Sequence, residues 1–261
     1  MDTTFATIGL DLANETAFNT LAMRAGDCGE VTLLPRRGAV WHGRCWKLGD
    51  GLEVWTVLYE NGTGETSYAD CRPAFRARYT HYLAPWALTE YDEEGEAVIH
   101  GYCQDTGAEV LFELQNLTEL APTTFHVGSL CVGLCGLAYR AQVSSKKLPE
   151  MWEPLEKAAP DQARHENDWR LRGRVAAFRP LRNPLSGSDL YWVHVELEKL
   201  RLEVLVNRSV LRGALRVGAT FTADVWLQGH VWDERALRRR YEGVDYTFAP
   251  VDFWRHLKRL N

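Results

Sequence analysis

Apolar and polar residues alternate through much of the second half of this chain. Between Trp169 and Trp232, Tyr191, Val193, Val195 and Leu197 share one face of an extended segment, and Trp192, His194, Glu196 and Glu198 share the other. Leu200, Leu202, Val204 and Val206 repeat the pattern, as do Phe221, Ala223, Val225 and Leu227. A period of two places alternate side chains on opposite sides of a half-buried strand. Asn183-Pro184-Leu185-Ser186-Gly187 reads as a turn between the strand that begins at Trp169 and the one that carries Tyr191. The pattern predicts four or five antiparallel strands curled into a small barrel.

The first half reads differently. Phe5 to Leu12 (FATIGLDL) is predicted as a strand. Asn14 or Thr16 can cap a helix running to about Arg24, with Phe18, Leu21 and Ala22 on one face. Strands over Glu30–Leu34, Ala39–Lys47 and Leu52–Tyr59 follow, the last two joined by Leu48-Gly49-Asp50-Gly51, a tight Asp-Gly turn. Phe125 to Val143 is apolar and glycine-containing, suited to closing a sheet. Residues 144–168 hold Pro149, Pro154 and Pro160 among charged residues and read as a linker. Asp233 to Gly243 reads as a short helix, and Pro250 introduces another that groups Phe253, Trp254, Leu257 and Leu260 on one face. The fold class is α+β and β-rich: an α+β domain over 1–143, a linker over 144–168, and a barrel with a terminal helix over 169–261.

The β-α-β-β-β order of residues 5–60, with Gly49-Asp50-Gly51-Leu52-Glu53 entering its last strand, resembles one module of the vicinal-oxygen-chelate (glyoxalase-like) fold. The resemblance implies paired modules and a divalent metal held by first- and last-strand residues. Glu53 matches the last-strand carboxylate; the first strand lacks a histidine, and Asp11 is its only candidate. An echo supports a second module: DGLEVWTV at 50–57 recurs as TGAEVLFEL at 106–114, setting Glu109 opposite Glu53. FRARYTHYL at 75–83 would be the second first strand, carrying His81, but PWALTEYDEEGE makes a poor helix. An unrelated α+β domain is the alternative. The 169–232 strands resemble an OB-type barrel, and the full layout resembles two-domain bacterial proteins that bring no established activity with them.

Charge sharpens the division. Of 261 residues with net charge −5, residues 1–150 hold 11 Lys+Arg and 20 Asp+Glu, while residues 151–261 hold 19 and 15. The second half can meet an anionic partner. Nothing resembles a signal peptide or an apolar run long enough to span a bilayer, so cytoplasmic residence without membrane contact is expected, and the six cysteines should be reduced.

No Gly-x-Ser-x-Gly elbow, phosphate loop or dinucleotide fingerprint occurs. His42 with Cys45 and Cys131 with Cys135 have spacings that suit a zinc site poorly. Glu53, Glu109 and His81 form the one hard-ligand set, suited to a divalent metal. Arg170, Arg172 and Arg174 alternate on one strand face, and with Trp192 they offer the cations and stacking ring that hold single-stranded nucleic acid on an OB-type barrel. Carboxylates at Asp168, Asp189, Glu196, Glu198 and Glu203 dilute that field. The resulting expectation is a non-enzymatic protein that binds a protein or small ligand, without a cofactor. Single-stranded nucleic-acid binding and a metal-dependent vicinal-oxygen-chelate enzyme are the alternatives.

Overall fold

The computed structural model describes residues 4–36, 39–91, 95–121 and 123–233. Both helices expected after residue 232 lie almost wholly outside the described residues.

The amino end opens with a 3-10 turn, Phe5–Ile8, rather than the expected strand. Its Phe5 and Ile8 are both buried, and Gly9 leaves it in the left-handed region at φ 81°, a conformation that favours glycine. A run this short satisfies its apolar side chains in either conformation. Helix α1 (Glu15–Cys28) follows, with the Asn14 side chain accepting from the Ala17 amide as cap. Then come β1 (Glu30–Arg36), β2 (Ala39–Gly49), β3 (Leu52–Asn61) and β4 (Thr66–Phe75), an antiparallel meander forming one sheet in sequence order. The β-α-β-β-β order is therefore not formed here: one helix precedes four strands.

The second sheet comprises β5 (Thr80–Tyr91), β6 (Glu96–Cys103), β7 (Glu109–Leu114), β8 (Leu130–Ser144), β9 (Met151–Pro154), β10 (Asp168–Arg182), β11 (Asp189–Glu196), β12 (Arg201–Asn207), β13 (Leu211–Arg212) and β14 (Thr220–Val231). Its pairings close two five-strand rings. One runs β5-β6-β7-β14-β8 and back to β5; the other runs β10-β11-β12-β8-β14 and back to β10. The long antiparallel pair β8–β14 belongs to both.

The rings are copies of one unit. Each unit is a three-strand antiparallel meander followed by a long strand. That strand pairs antiparallel with the first strand of its own meander and parallel with the last strand of the other. The registers agree. Leu83 faces Cys103 where Val175 faces Val195, Val98 faces Glu113 where Leu190 faces Asn207, and Thr80 faces Gly133 where Arg172 faces Thr222. Each first strand also carries a register shift, between Pro85 and Ala87 and between Val175 and Ala177. Within the shared pair Leu137 faces Trp226, at equivalent positions of the two units.

Residues 144–168 do not form a free linker. β9 pairs with β10, Leu155 of the one-turn helix α2 (Leu155–Ala158) is buried, and Trp152 stacks on Trp169 at 4.3 Å. Both indoles donate to β7 carbonyls, Trp152 to Glu109 and Trp169 to Leu111. The charged, proline-spaced composition hid this role: two tryptophans satisfy strand carbonyls that β14 does not reach.

One core fills the rings, with Leu83, Ile99, Phe112, Leu171, Val193, Val204, Phe221 and Val225 fully buried. A second core lies between the meander β1–β4 and the outer face of the β10–β12 unit. It joins Phe5, Leu52, Val54 and Phe75 to Leu137, Leu190, Trp192, Leu205 and Trp226. Of the six cysteines, every one but Cys28 is buried.

Candidate binding groove

The three residues expected to share a metal are far apart in role. Glu53, on β3, lies in a buried junction between the two sheets. Arg76 Nε donates to its Oε1 at 2.6 Å, and Trp55 Nε1 and His230 Nε2 approach its Oε2 at 3.0 and 3.1 Å. Arg76 also donates to Glu119 at 3.2 Å. Burial favours the neutral acid, but the Arg76 guanidinium and His230 outweigh it and hold Glu53 well below the usual carboxylate range. Burial pushes His230 down, as does the Arg76 charge. A carboxylate already saturated by three donors is poorly placed to ligate a metal. Glu109 stands at the surface of β7 and meets His100 at 2.7 Å. His81 is buried, 2.7 Å from the Arg201 carbonyl. Nor are His42 and Cys45 joined to Cys131 and Cys135: His42 meets Glu60 at 2.6 Å. Among the described residues no group of three or more His, Cys, Asp or Glu side chains is arranged to hold a metal.

The arginines of β10 have a different setting. Arg170 and Arg172 line a surface groove of about 550 Å³ on the outer side of β8, β14 and β10. Arg140 of β8 and Arg212 of β13 join them, with Gln142, Gln162, Ser209 and Thr222 between. The alternation of the strands dictates this: Arg140, Gln142, Arg170, Arg172, Thr222 and Asp224 all point away from the ring core. Asp224 is the one carboxylate in the lining, and Arg170 grips it through two hydrogen bonds of 2.6 and 2.9 Å. That contact holds Arg170 above the ordinary guanidinium range. Arg140 donates to Gln162 at 2.9 Å. Arg172 donates to Thr222 and to the Pro149 carbonyl at 3.2 and 3.3 Å. Neutral partners fix these two guanidinium planes without cancelling their charge.

Arg174 lies further along β10, outside the groove lining, and pairs with Glu196. Trp192 is buried, only 6% exposed, and donates to Glu203 at 2.5 Å. It belongs to the packing beneath the β1–β4 meander and not to the arginine face. Tyr139 does line the groove, with the Arg164 guanidinium 4.5 Å from its ring centre. Arg140 and Arg212 escaped the sequence reading because they come from strands far away in the chain. Only the pairings of β8 with β13 and β14 bring them to Arg170 and Arg172.

No family model, curated protein or solved structure matches this chain. Among the described residues no helix is long and apolar enough to cross a membrane.

Proposed function

We propose that this protein binds without catalysing, and that the arginine groove receives an acidic segment of a partner protein. The observation that carries this reading is the convergence of Arg140, Arg170, Arg172 and Arg212 around a single, already paired carboxylate. Planar guanidinium groups suit carboxylates through paired hydrogen bonds. A groove on rigid strands also loses little order on binding.

We also read each ring as an OB-type barrel: a three-strand meander whose last strand lies parallel to one closing strand and whose first lies antiparallel to the other. Such barrels hold single-stranded nucleic acid with cationic tracks and stacked rings. Here Trp192 is buried and the single aromatic of the groove lies against Arg164. That disfavours base stacking and ranks an acidic peptide above a nucleic-acid strand.

Fluorescence anisotropy with a labelled oligoglutamate peptide and a labelled oligothymidylate of equal length tests the choice. The peptide should bind at physiological salt. Replacing Arg140, Arg172 and Arg212 together by Ala should weaken it by about tenfold or more. Tighter binding of the oligothymidylate, lost in the same variant, would promote the nucleic-acid reading. Binding of neither would remove the groove as the site.

A further inference from the structure

The two meanders are equivalent, but only one has its outer face covered at the middle rungs. In the β10–β12 unit, His194 faces Glu203 and Trp192 faces Leu205. The segment leading into β5 crosses these residues. Glu203 accepts the backbone amides of Arg78 and Tyr79 at 2.7 and 2.6 Å, and the Tyr79 ring packs 5.4 Å from that of His194. Trp192 Nε1 completes the carboxylate's set at 2.5 Å.

The β5–β7 unit repeats the arrangement at the same rungs. Tyr102 faces Glu109 and His100 faces Leu111. His100 Nε2 meets Glu109 at 2.7 Å, along the diagonal that Trp192 takes to Glu203. Here no described segment crosses. Tyr102 is 44% exposed, and Trp86, its ring tilted against that of His100 at 4.0 Å, is 57% exposed. The carboxylate that captures two amides in one copy faces solvent in the other, its side chain 53% exposed. Residues 80–139 contain no Lys or Arg, and Glu90 and Asp105 are exposed along with Glu109.

We infer that the His100–Glu109 pair, with Tyr102 and Trp86, is a docking site for a bent basic peptide segment of a partner protein. Glu109 accepts two consecutive backbone amides, and an aromatic side chain of the peptide lies against Tyr102. The covered copy supplies the chemistry: the bend at Arg78-Tyr79 aims both amides at one oxygen of Glu203 and lays the Tyr79 ring against His194. The exposed carboxylates Glu90, Asp105 and Glu109, with no Lys or Arg between residues 80 and 139, supply the charge preference. This surface is separate from the arginine groove, and a basic peptide would be repelled there.

The test uses the full chain and a fluorescein-labelled octapeptide with the sequence of residues 75–82, FRARYTHY. Anisotropy should report saturable binding, weakened about tenfold by Glu109→Gln or by Tyr102→Ala, both surface changes. A peptide N-methylated at the two amides corresponding to Arg78 and Tyr79 keeps its charge but loses both donors, and should bind about tenfold more weakly. Equal binding of the methylated peptide would mean simple charge attraction and would overturn the inference. So would absence of binding, or binding indifferent to both variants. A dimer in sedimentation that Tyr102→Ala dissociates would give the face to a second copy of the chain, and would equally overturn it.

Discussion

At the scale of single residues, apolar packing between the β1–β4 sheet and the rings is joined by two buried ionic clusters, around Arg76 and around Arg72. Around Arg72 the balance of charge is unusual. Its guanidinium lies 3.1 Å from Asp70, 3.3 Å from Glu96 and 3.6 Å from Glu113. One cation cannot neutralise three acids. Burial, reinforced by Glu96 and Asp70, pushes Glu113 up to about 8 despite Arg72. The consequence for stability has a definite sign. The folded state holds the Glu113 proton more tightly than the unfolded chain, whose glutamate titrates near 4.3. The contribution of Glu113 is therefore complete below about pH 4.3 and is lost as pH rises through about 8. Urea unfolding at a series of pH values should show Glu113→Gln losing less stability than the parent between about pH 5 and 8, by an amount on the order of a few kcal/mol at most. Parallel curves for the two proteins would mean that Glu113 is ionised throughout. The sequence made Glu53 conspicuous but offered no way to find its partners. Arg76 is 23 positions away and His230 is 177.

At the scale of elements, the period-two pattern carried the strand prediction well where strands are long and half-buried. β11, β12 and β14 fall where alternation places them. It failed at Phe5–Ile8, where a 3-10 turn buries the same apolar residues. It also paired the wrong repeats. DGLEVWTV and TGAEVLFEL look alike, yet the structural equivalent of β7 is β12. The two share Glu109-Val110-Leu111 and Glu203-Val204-Leu205 and little else. Register and strand order are held in common, while Tyr102 is matched by His194 and His100 by Trp192, so residue identity barely records the duplication. One glycine shows how closely the elements meet. A Cβ on Gly229 of β14 would lie 2.4 Å from two ring carbons of Phe112, itself fully buried. Gly229→Ala should therefore cost about 1–3 kcal/mol through overpacking, measurable as a lower urea midpoint. An unchanged midpoint would show that the Phe112 ring has room to move.

At the scale of the molecule, the sequence suggested two independent domains separated by residues 144–168, because charge and composition change there. Strand pairing is not visible in composition, and it crosses that boundary. β8 precedes the boundary and pairs with β12, β13 and β14 beyond it. The ring core likewise mixes residues from Leu34 to Trp232. Unfolding followed by calorimetry and by tryptophan fluorescence should therefore give one coincident transition. Two resolved transitions would restore two separately stable units.

The shared β8–β14 pair also sets a timetable for synthesis. β14 is the last described strand, and both rings need it: one to reach β7, the other to reach β10. On the ribosome neither ring can close until residue 231 has emerged from the exit tunnel. Until then two meanders and β8 wait with open edges, the state in which strands meet wrong partners. Domains that mature one after another during translation avoid this exposure. This chain instead closes both rings in a single event that awaits β14.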